Sequence, residues 1–288
     1  MYRFYFVIIL PECVQKYSFI ETFILIKHSY MKQACTIKRA FSAMISLFMP
    51  RFCIVCGREL SYSEKGLCLY CLSGLPLTFF WDRIGNPAEQ MFFGRVRIER
   101  CCSLFFYRGD YKKCLYSIKY EGNVRLGEYL GNILGRELSK MVNAGTMPYI
   151  DYLVPVPLHW RKKWKRGYNQ SEHICKGILK GLCGESPRER HLNDRPQTIE
   201  ICTKLIKRVK FTESQTTIMH DARWRNVENA FKINRNEVEK ILSGKKTPHI
   251  VLVDDVLTTG ATIEACAAQL LNAFPCRISI ATLAFAGG

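Results

Sequence analysis

Acidic residues are scarce in this sequence. Asp and Glu total 25 against 42 Lys and Arg, a formal net charge of +17 over 288 residues. An imbalance of that size points to anionic partners: phosphate esters, nucleic acid or an acidic membrane surface. Long apolar runs are missing from the N-terminus. The two runs there, at 4–10 and 19–26, fall short of the roughly 18–20 residues that a membrane-crossing helix needs. No internal repeat is present. With 48% hydrophobic and 23% charged residues the composition is globular, which excludes disordered and collagenous chains. The length suits one large domain or two ordinary ones.

A secretory signal is also lacking. Arg3 could serve a basic leader, but Pro11-Glu12 ends the first apolar run and no Ala-x-Ala follows. The residues before Cys13 are not small, which argues against a lipoprotein site. Residues 1–43 therefore read as an N-terminal extension, the expected result of a start assigned too far upstream, with the protein proper opening near Met44.

Cysteine is too sparse for a disulfide scaffold, at 14 in 288 residues. Four of the 14 form two pairs, Cys53-x-x-Cys56 and Cys68-x-x-Cys71, eleven residues apart. Four thiolates at that spacing suit a tetrahedral, structural Zn²⁺ site, with Gly57 and Gly66 making the turns beside it. A redox CxxC would open a helix in a thioredoxin-like unit, and none is evident. The others, among them Cys175, Cys183, Cys202, Cys266 and the adjacent Cys101-Cys102, read as small buried hydrophobes. So many free thiols fit a reducing cytoplasm. His159, His173, His191 and His220 lack metal spacing with one another.

Residues 44–75 carry the cysteine pairs and little apolar periodicity, as a metal-stapled module would. Strands are expected at 100–107, 150–155, 249–253 and 277–285, and helices at 111–120, 124–141, 169–182 and 262–274. Residues 183–200, with Pro187 and Pro196, read as a polar loop. Alternating strands and helices imply an α/β fold: a mostly parallel twisted sheet flanked by helices, with the small zinc module ahead of it. The domains expected are the module at 44–80 and the α/β domain at 81–288.

The sharpest motif is VLVDDVLTTGAT at 251–262. A buried strand runs into Asp254-Asp255, then into Thr258-Thr259-Gly260-Ala261-Thr262, which opens a helix. Ligands of open α/β sheets bind beyond the carboxyl ends of the strands. Two acids there suit the vicinal hydroxyls of a ribose or a hydrated Mg²⁺. The turn's amides, its hydroxyls and the helix dipole suit a phosphate, and Gly260 permits the close backbone approach. Together they describe a clamp for a 5-phosphorylated ribose. The pattern resembles the type I phosphoribosyltransferases.

A second motif, PVPLHWRKKWKRGYNQ at 155–170, follows a strand with a rigid turn and carries Arg161, Lys162, Lys163, Lys165 and Arg166. A solvated basic face is the plainest reading of such a run. Two prolines, Trp160, Trp164 and the Gly167-Tyr168-Asn169-Gln170 ending favour an anion site instead. Pyrophosphate is one candidate. Single-stranded nucleic acid, stacked on Trp and Tyr between cations, is the other.

The P-V-P-L, basic stretch and R-G-[FY]-N-Q sequence resembles the ComF family, which is phosphoribosyltransferase-like and linked to competence and DNA utilisation. Phe106-Tyr107-Arg108-Gly109 with Ser117-Ile118-Lys119-Tyr120 is similar to an early segment of that family. Lys207-Arg208, Gln215, Arg223, Asn226 and Ala230-Phe231 are similar to a later one. The resemblance covers about 44–286, departs in spacing near 183–203, and includes the zinc module. It implies that Asp254 and Asp255 bind the ribose hydroxyls of phosphoribosyl pyrophosphate (PRPP), directly or through Mg²⁺. It implies Thr258, Thr259, Gly260, Ala261 and Thr262 for the 5-phosphate, and the loop after Pro155, with Arg161, Lys162, Lys163 and Arg166, for pyrophosphate. A flap would lie around Gln215 to Arg223. Single-stranded DNA and a DNA-uptake helicase are the implied partners. Three functions stay open: a transferase, a nucleic-acid-binding accessory factor, and a regulator that senses PRPP without turnover. No general base is identifiable.

Overall fold

A computed structural model describes residues 50–184, 199–209, 230–244 and 247–287. The extension at 1–43, most of the 183–200 loop, His191, His220 and the flap residues Gln215 and Arg223 lie outside them. In chain order the principal elements are α1 (Leu69–Ser73), α2 (Pro87–Gln90), β1 (Cys101–Phe106), α3 (Lys112–Tyr120), α4 (Val124–Asn143), β2 (Tyr152–Pro155), α5 (Trp160–Arg166), α6 (Gln170–Cys183), β3 (Glu200–Ile201), β4 (Ile206–Arg208), β5 (Phe231–Ile233), α7 (Arg235–Gly244), β6 (His249–Leu257), α8 (Ala261–Ala273) and β7 (Arg277–Phe285).

Five strands form one sheet in the order β1-β7-β6-β2-β3, and every neighbouring pair is parallel. β4 and β5 make a separate antiparallel ribbon. The mostly parallel α/β fold is thus as the element pattern implies. β6 opens on the apolar run 250–253 and β7 is buried from Ile278 to Phe285, because helices cover both faces of a parallel sheet. Two cores result. Leu104, Val251, Val253 and Leu283 face α4 and α6 on one side, while Ile250, Leu252, Ile278 and Ile280 pack with α8 on the other.

Helices α4 and α6 pack closest. α4 places Leu126, Leu130, Leu134 and Leu138 on one buried stripe and Gly127, Gly131 and Gly135 beside it. Gly177 and Gly181 of α6 meet that glycine row. A methyl on Gly177 would stand 2.1 Å from the Glu128 carbonyl oxygen, and one on Gly135 would stand 2.3 Å from that of Ile178. Only hydrogen fits at these positions, so the two backbones touch.

Two expectations change. β6 does not stop at Val253 but continues to Leu257, because β7 offers pairing partners that far: Asp254 lies opposite Thr282, and Val256 opposite Ala284. The acid pair is therefore held in the sheet rather than on a turn. The basic run at 160–166 is a helix, not a loop. His159 caps it, its Nδ1 accepting from the Arg161 amide at 3.3 Å, and Gly167, at φ +83°, ends it in the left-handed region. The ribbon β4–β5, strand β3 and helix α7 carry no strong periodicity and were not expected.

Candidate functional site

The site lies at the carboxyl ends of β6 and β2. Pro155 ends β2, and Asn169 ties the following chain back to it: Asn169 Nδ2 donates to the Val156 carbonyl at 3.1 Å. The Asn169 Oδ1 accepts from the Ser171 amide at 3.2 Å and so caps α6. That fixes the first turn of α6 against the acid pair. Gln170 Nε2 donates to Asp255 Oδ2 at 2.6 Å, and Ser171 Oγ donates to Asp254 Oδ1 at 3.1 Å.

Lys119 completes the network from α3. Its ammonium sits 2.8 Å from Asp255 Oδ1. Burial works against that charge, but Asp255 outweighs it and holds the lysine above its ordinary value. Asp254 moves the other way. Burial, then the charge of Asp255, push its carboxyl up to about 7 against the pull of Lys119 and Ser171. The pair thus shares one region of negative charge that a ligand donor or a cation can relieve.

Beyond the acids, Thr258 is exposed, Thr259, Ala261 and Thr262 are half-buried, and Gly260 is buried. Gly260 has φ +77° and lies under the Phe92 ring, 3.2 Å from where a Cβ would stand, so a side chain there would be strained and tightly packed against the ring. Helix α8 starts immediately after it, which brings the amides of the turn and a helix N-terminus to one place. One turn on, Glu264 is buried and, among the described residues, neither carboxylate oxygen is hydrogen-bonded; Arg95 stands 3.7 Å away. Burial holds that carboxyl above the usual range.

The four basic residues assigned to pyrophosphate do not share a fate. Arg166 is joined to the acid pair: its guanidinium hydrogen-bonds Gln170 Oε1 and stacks on Tyr120, 5.3 Å from the ring centre. Arg161 lies over Trp160, and Lys163 pairs with Glu172 at 3.1 Å. Lys162 is half-buried on the same helix. Lys119, Gln170 and Ser171 were missed as site residues. The Asn169-Gln170 helix start that ends the second motif held a signal for Gln170 and Ser171.

The cysteine module presents a second site. The sulfurs of Cys53, Cys56, Cys68 and Cys71 all lie within 4.8 Å of one another, with Cys56 and Cys68 at 3.7 Å. Four sulfurs about 2.3 Å from one tetrahedral zinc stand about 3.8 Å apart, so the set fits that ion. Burial opposes ionisation of Cys53, but the amides of Cys56, Cys68 and Val55 outweigh it and draw the thiol down to about 6. Burial and the neighbouring sulfurs push Cys71 up. Tyr111, just ahead of α3, packs against the cysteines, its hydroxyl donating to the Cys71 carbonyl at 2.9 Å.

Comparison with known proteins bears on both sites. Residues 195–288 match the phosphoribosyl transferase domain. The DNA utilization protein YhgH of Salmonella typhi is 26% identical over 235 residues, which cover 78% of this chain and 93% of that protein. YhgH of Escherichia coli strain K12 is 27% identical over 220 residues, 76% of this chain and 84% of its own length. Competence protein F of Haemophilus influenzae is 24% identical over 234 residues, 77% of this chain and 90% of its own. The chain is a homologue of these proteins and carries a phosphoribosyl transferase domain. Asp254, Asp255 and the threonine–glycine turn fall inside the phosphoribosyl transferase match, whereas Lys119, Arg166, Gln170, Ser171 and the four cysteines precede it. The sheet that carries the matched strands is completed by β1 and β2, which precede the match. Among the described residues no helix is long and apolar enough to cross a membrane.

Proposed function

We propose that the chain binds PRPP, with Mg²⁺, between the acid pair and the turn at 258–262. The observation that carries this reading is the partly exposed Asp254 near the carboxyl end of a central parallel strand that closes on a glycine-permitted turn and a helix N-terminus. Asp254 accepts from the ribose hydroxyls, and the amides and hydroxyls of Thr258 to Thr262 take the 5-phosphate. Arg166 lies on the pyrophosphate side. Among the described residues no donor reaches Asp254 Oδ2, which leaves one carboxylate oxygen for the sugar or a hydrated cation. Bound Mg²⁺ supplies charge neutralisation of the pyrophosphate. Departure of that group from C1 of the sugar builds positive charge on the ring, which Asp254 stabilises, while cationic residues stabilise the leaving group. The cysteine site holds a structural Zn²⁺.

Thermal unfolding tests the reading. A ligand at 100 times its Kd adds about 2.7 kcal/mol, which for a chain of this size raises Tm by about 5–10 °C. PRPP with Mg²⁺ is expected to give such a rise, and Asp254→Asn with Asp255→Asn to abolish it. No rise in the unmodified chain rejects the proposal.

A second reading rests on α5. Trp160 and Trp164 are 64% and 86% exposed, on one face of a helix that also carries Arg161, Lys162 and Lys165. Exposed indoles between cations suit single-stranded nucleic acid, and the relatives' names, DNA utilization and competence, favour such a partner. Each stacked base is worth about 1–3 kcal/mol, so Trp160→Ala with Trp164→Ala should weaken binding of a single-stranded oligonucleotide at least about ten-fold. Replacing Lys162, Lys163 and Lys165 should flatten its salt dependence. Binding indifferent to salt contradicts this second reading.

A further inference from the structure

The two aspartates are not equivalent. Asp255 is 3% exposed, and protein donors occupy both its oxygens: Lys119 Nζ on Oδ1 at 2.8 Å and Gln170 Nε2 on Oδ2 at 2.6 Å. Lys119 is itself mostly buried, with 22% of its side chain exposed. Asp254 is partly exposed and, among the described residues, spends only Oδ1 on the protein, accepting from Ser171 Oγ and from the Asp255 amide at 2.8 Å. A divalent cation bound to Asp255 would need an oxygen at about 2.0–2.1 Å, in the place the ammonium holds. Two cations sharing that oxygen would repel strongly in a site so poorly hydrated.

We propose that Lys119 is the resident cation of the acid pair. It converts Asp255 into an internal prop that orients Gln170, and through Gln170 the guanidinium of Arg166. It keeps divalent metal off Asp255 and leaves Asp254 as the one carboxylate that meets the ligand. Lys119 is a positioning residue, supplied by a helix that precedes the transferase match. The identity of the ligand rests on the PRPP reading; the exclusion of metal from Asp255 does not.

Two measurements on the zinc-loaded full chain separate these. The first is Mn²⁺ uptake without PRPP, followed by electron paramagnetic resonance. The unmodified chain is expected to show no Mn²⁺ site that Asp255→Asn removes. Lys119→Met should gain one, Lys119→Met with Asp255→Asn should lose it again, and Lys119→Arg, which keeps the charge, should exclude Mn²⁺ as lysine does. An Asp255-dependent site in the unmodified chain, or none in Lys119→Met, overturns the proposal.

The second is PRPP affinity in the presence of Mg²⁺. Asp254→Asn should lose at least thirty-fold, about 2 kcal/mol. Lys119→Met with Asp255→Asn removes both charges together, avoids a lone buried carboxylate, and should lose no more than about five-fold, about 1 kcal/mol. A folded double variant that loses as much as Asp254→Asn also overturns the proposal. Should the unmodified chain bind no PRPP at all, the proposed function fails, and the Mn²⁺ series still decides the role of Lys119.

Discussion

Replacing Cys68 by serine is expected to release the metal and unfold the module at residues 50–80. Cys68 is fully buried; its sulfur accepts from the Cys71 amide at 3.4 Å while its own amide donates to Cys53 Sγ at 3.4 Å. It therefore organises both pairs. Structural zinc contributes about 10–16 kcal/mol of apparent binding free energy in isolated fingers, so little else would hold so small a module. The damage would spread. Leu60, Leu67, Leu75 and Trp81 belong to the same buried cluster as Leu126 and Leu130 of α4. A loss of about 4 kcal/mol would lower Tm by about 8–16 °C in a chain of this size. Metal analysis by mass spectrometry should find one zinc per unmodified chain and none in Cys68→Ser. The exposed Cys183→Ser should change neither metal content nor Tm. Unmodified protein without zinc, or an unaltered Tm in Cys68→Ser, contradicts the assignment.

Gly177→Ala should destabilise the chain by at least about 3 kcal/mol, the upper part of the range for overpacking, and lower Tm by about 6–12 °C. The added methyl meets the carbonyl oxygen of Glu128 at 2.1 Å and its carbonyl carbon at 2.8 Å. These are backbone atoms, so no rotamer change relieves the contact and the helices must part. Gly131, Gly135 and Gly181 face the same constraint, at 2.6, 2.3 and 2.3 Å from the carbonyl oxygens of Ile174, Ile178 and Asn132. The effect reaches the proposed ligand site, because α6 carries Gln170 and Ser171 at its start. PRPP affinity should fall along with stability. Gly244→Ala is the control: nothing lies within 4 Å of its added carbon, and Tm should hold or rise slightly. Equal effects at 177 and 244 would refute the packing argument.

Much of this molecule is legible in its sequence, for identifiable reasons. The apolar run before Asp254, the turn after it and the paired cysteines each combine residue type with spacing, and local geometry follows from both. The parallel order of the strands follows from their alternation with helices. Lys119 was not legible as a site residue. It lies 136 positions before Asp255, and only the folding of α3 against β6 brings its ammonium to that carboxylate. Helix α5 was misread because its charges and tryptophans draw attention to binding, while the features that make it a helix, the His159 cap and the Gly167 stop, are single residues at its ends. The glycine rows on α4 and α6 passed unnoticed since each helix shows only half of the contact. Strand β3, two residues long, carries too little pattern to be read at all.

Helix α4 touches neighbours on two sides. Leu126 closes over Gly66 of the cysteine module, a Cβ there standing 3.1 Å from its side chain, while the adjacent Gly127 begins the row facing α6. Severing the backbone after residue 80 would strip a greasy wall from Leu126 and Tyr129 and leave it to the solvent. Neither fragment would remain dispersed on its own. Gene rearrangements that separate the two parts, or swap in a foreign metal-binding leader, would therefore yield insoluble product unless the replacement reproduces that wall.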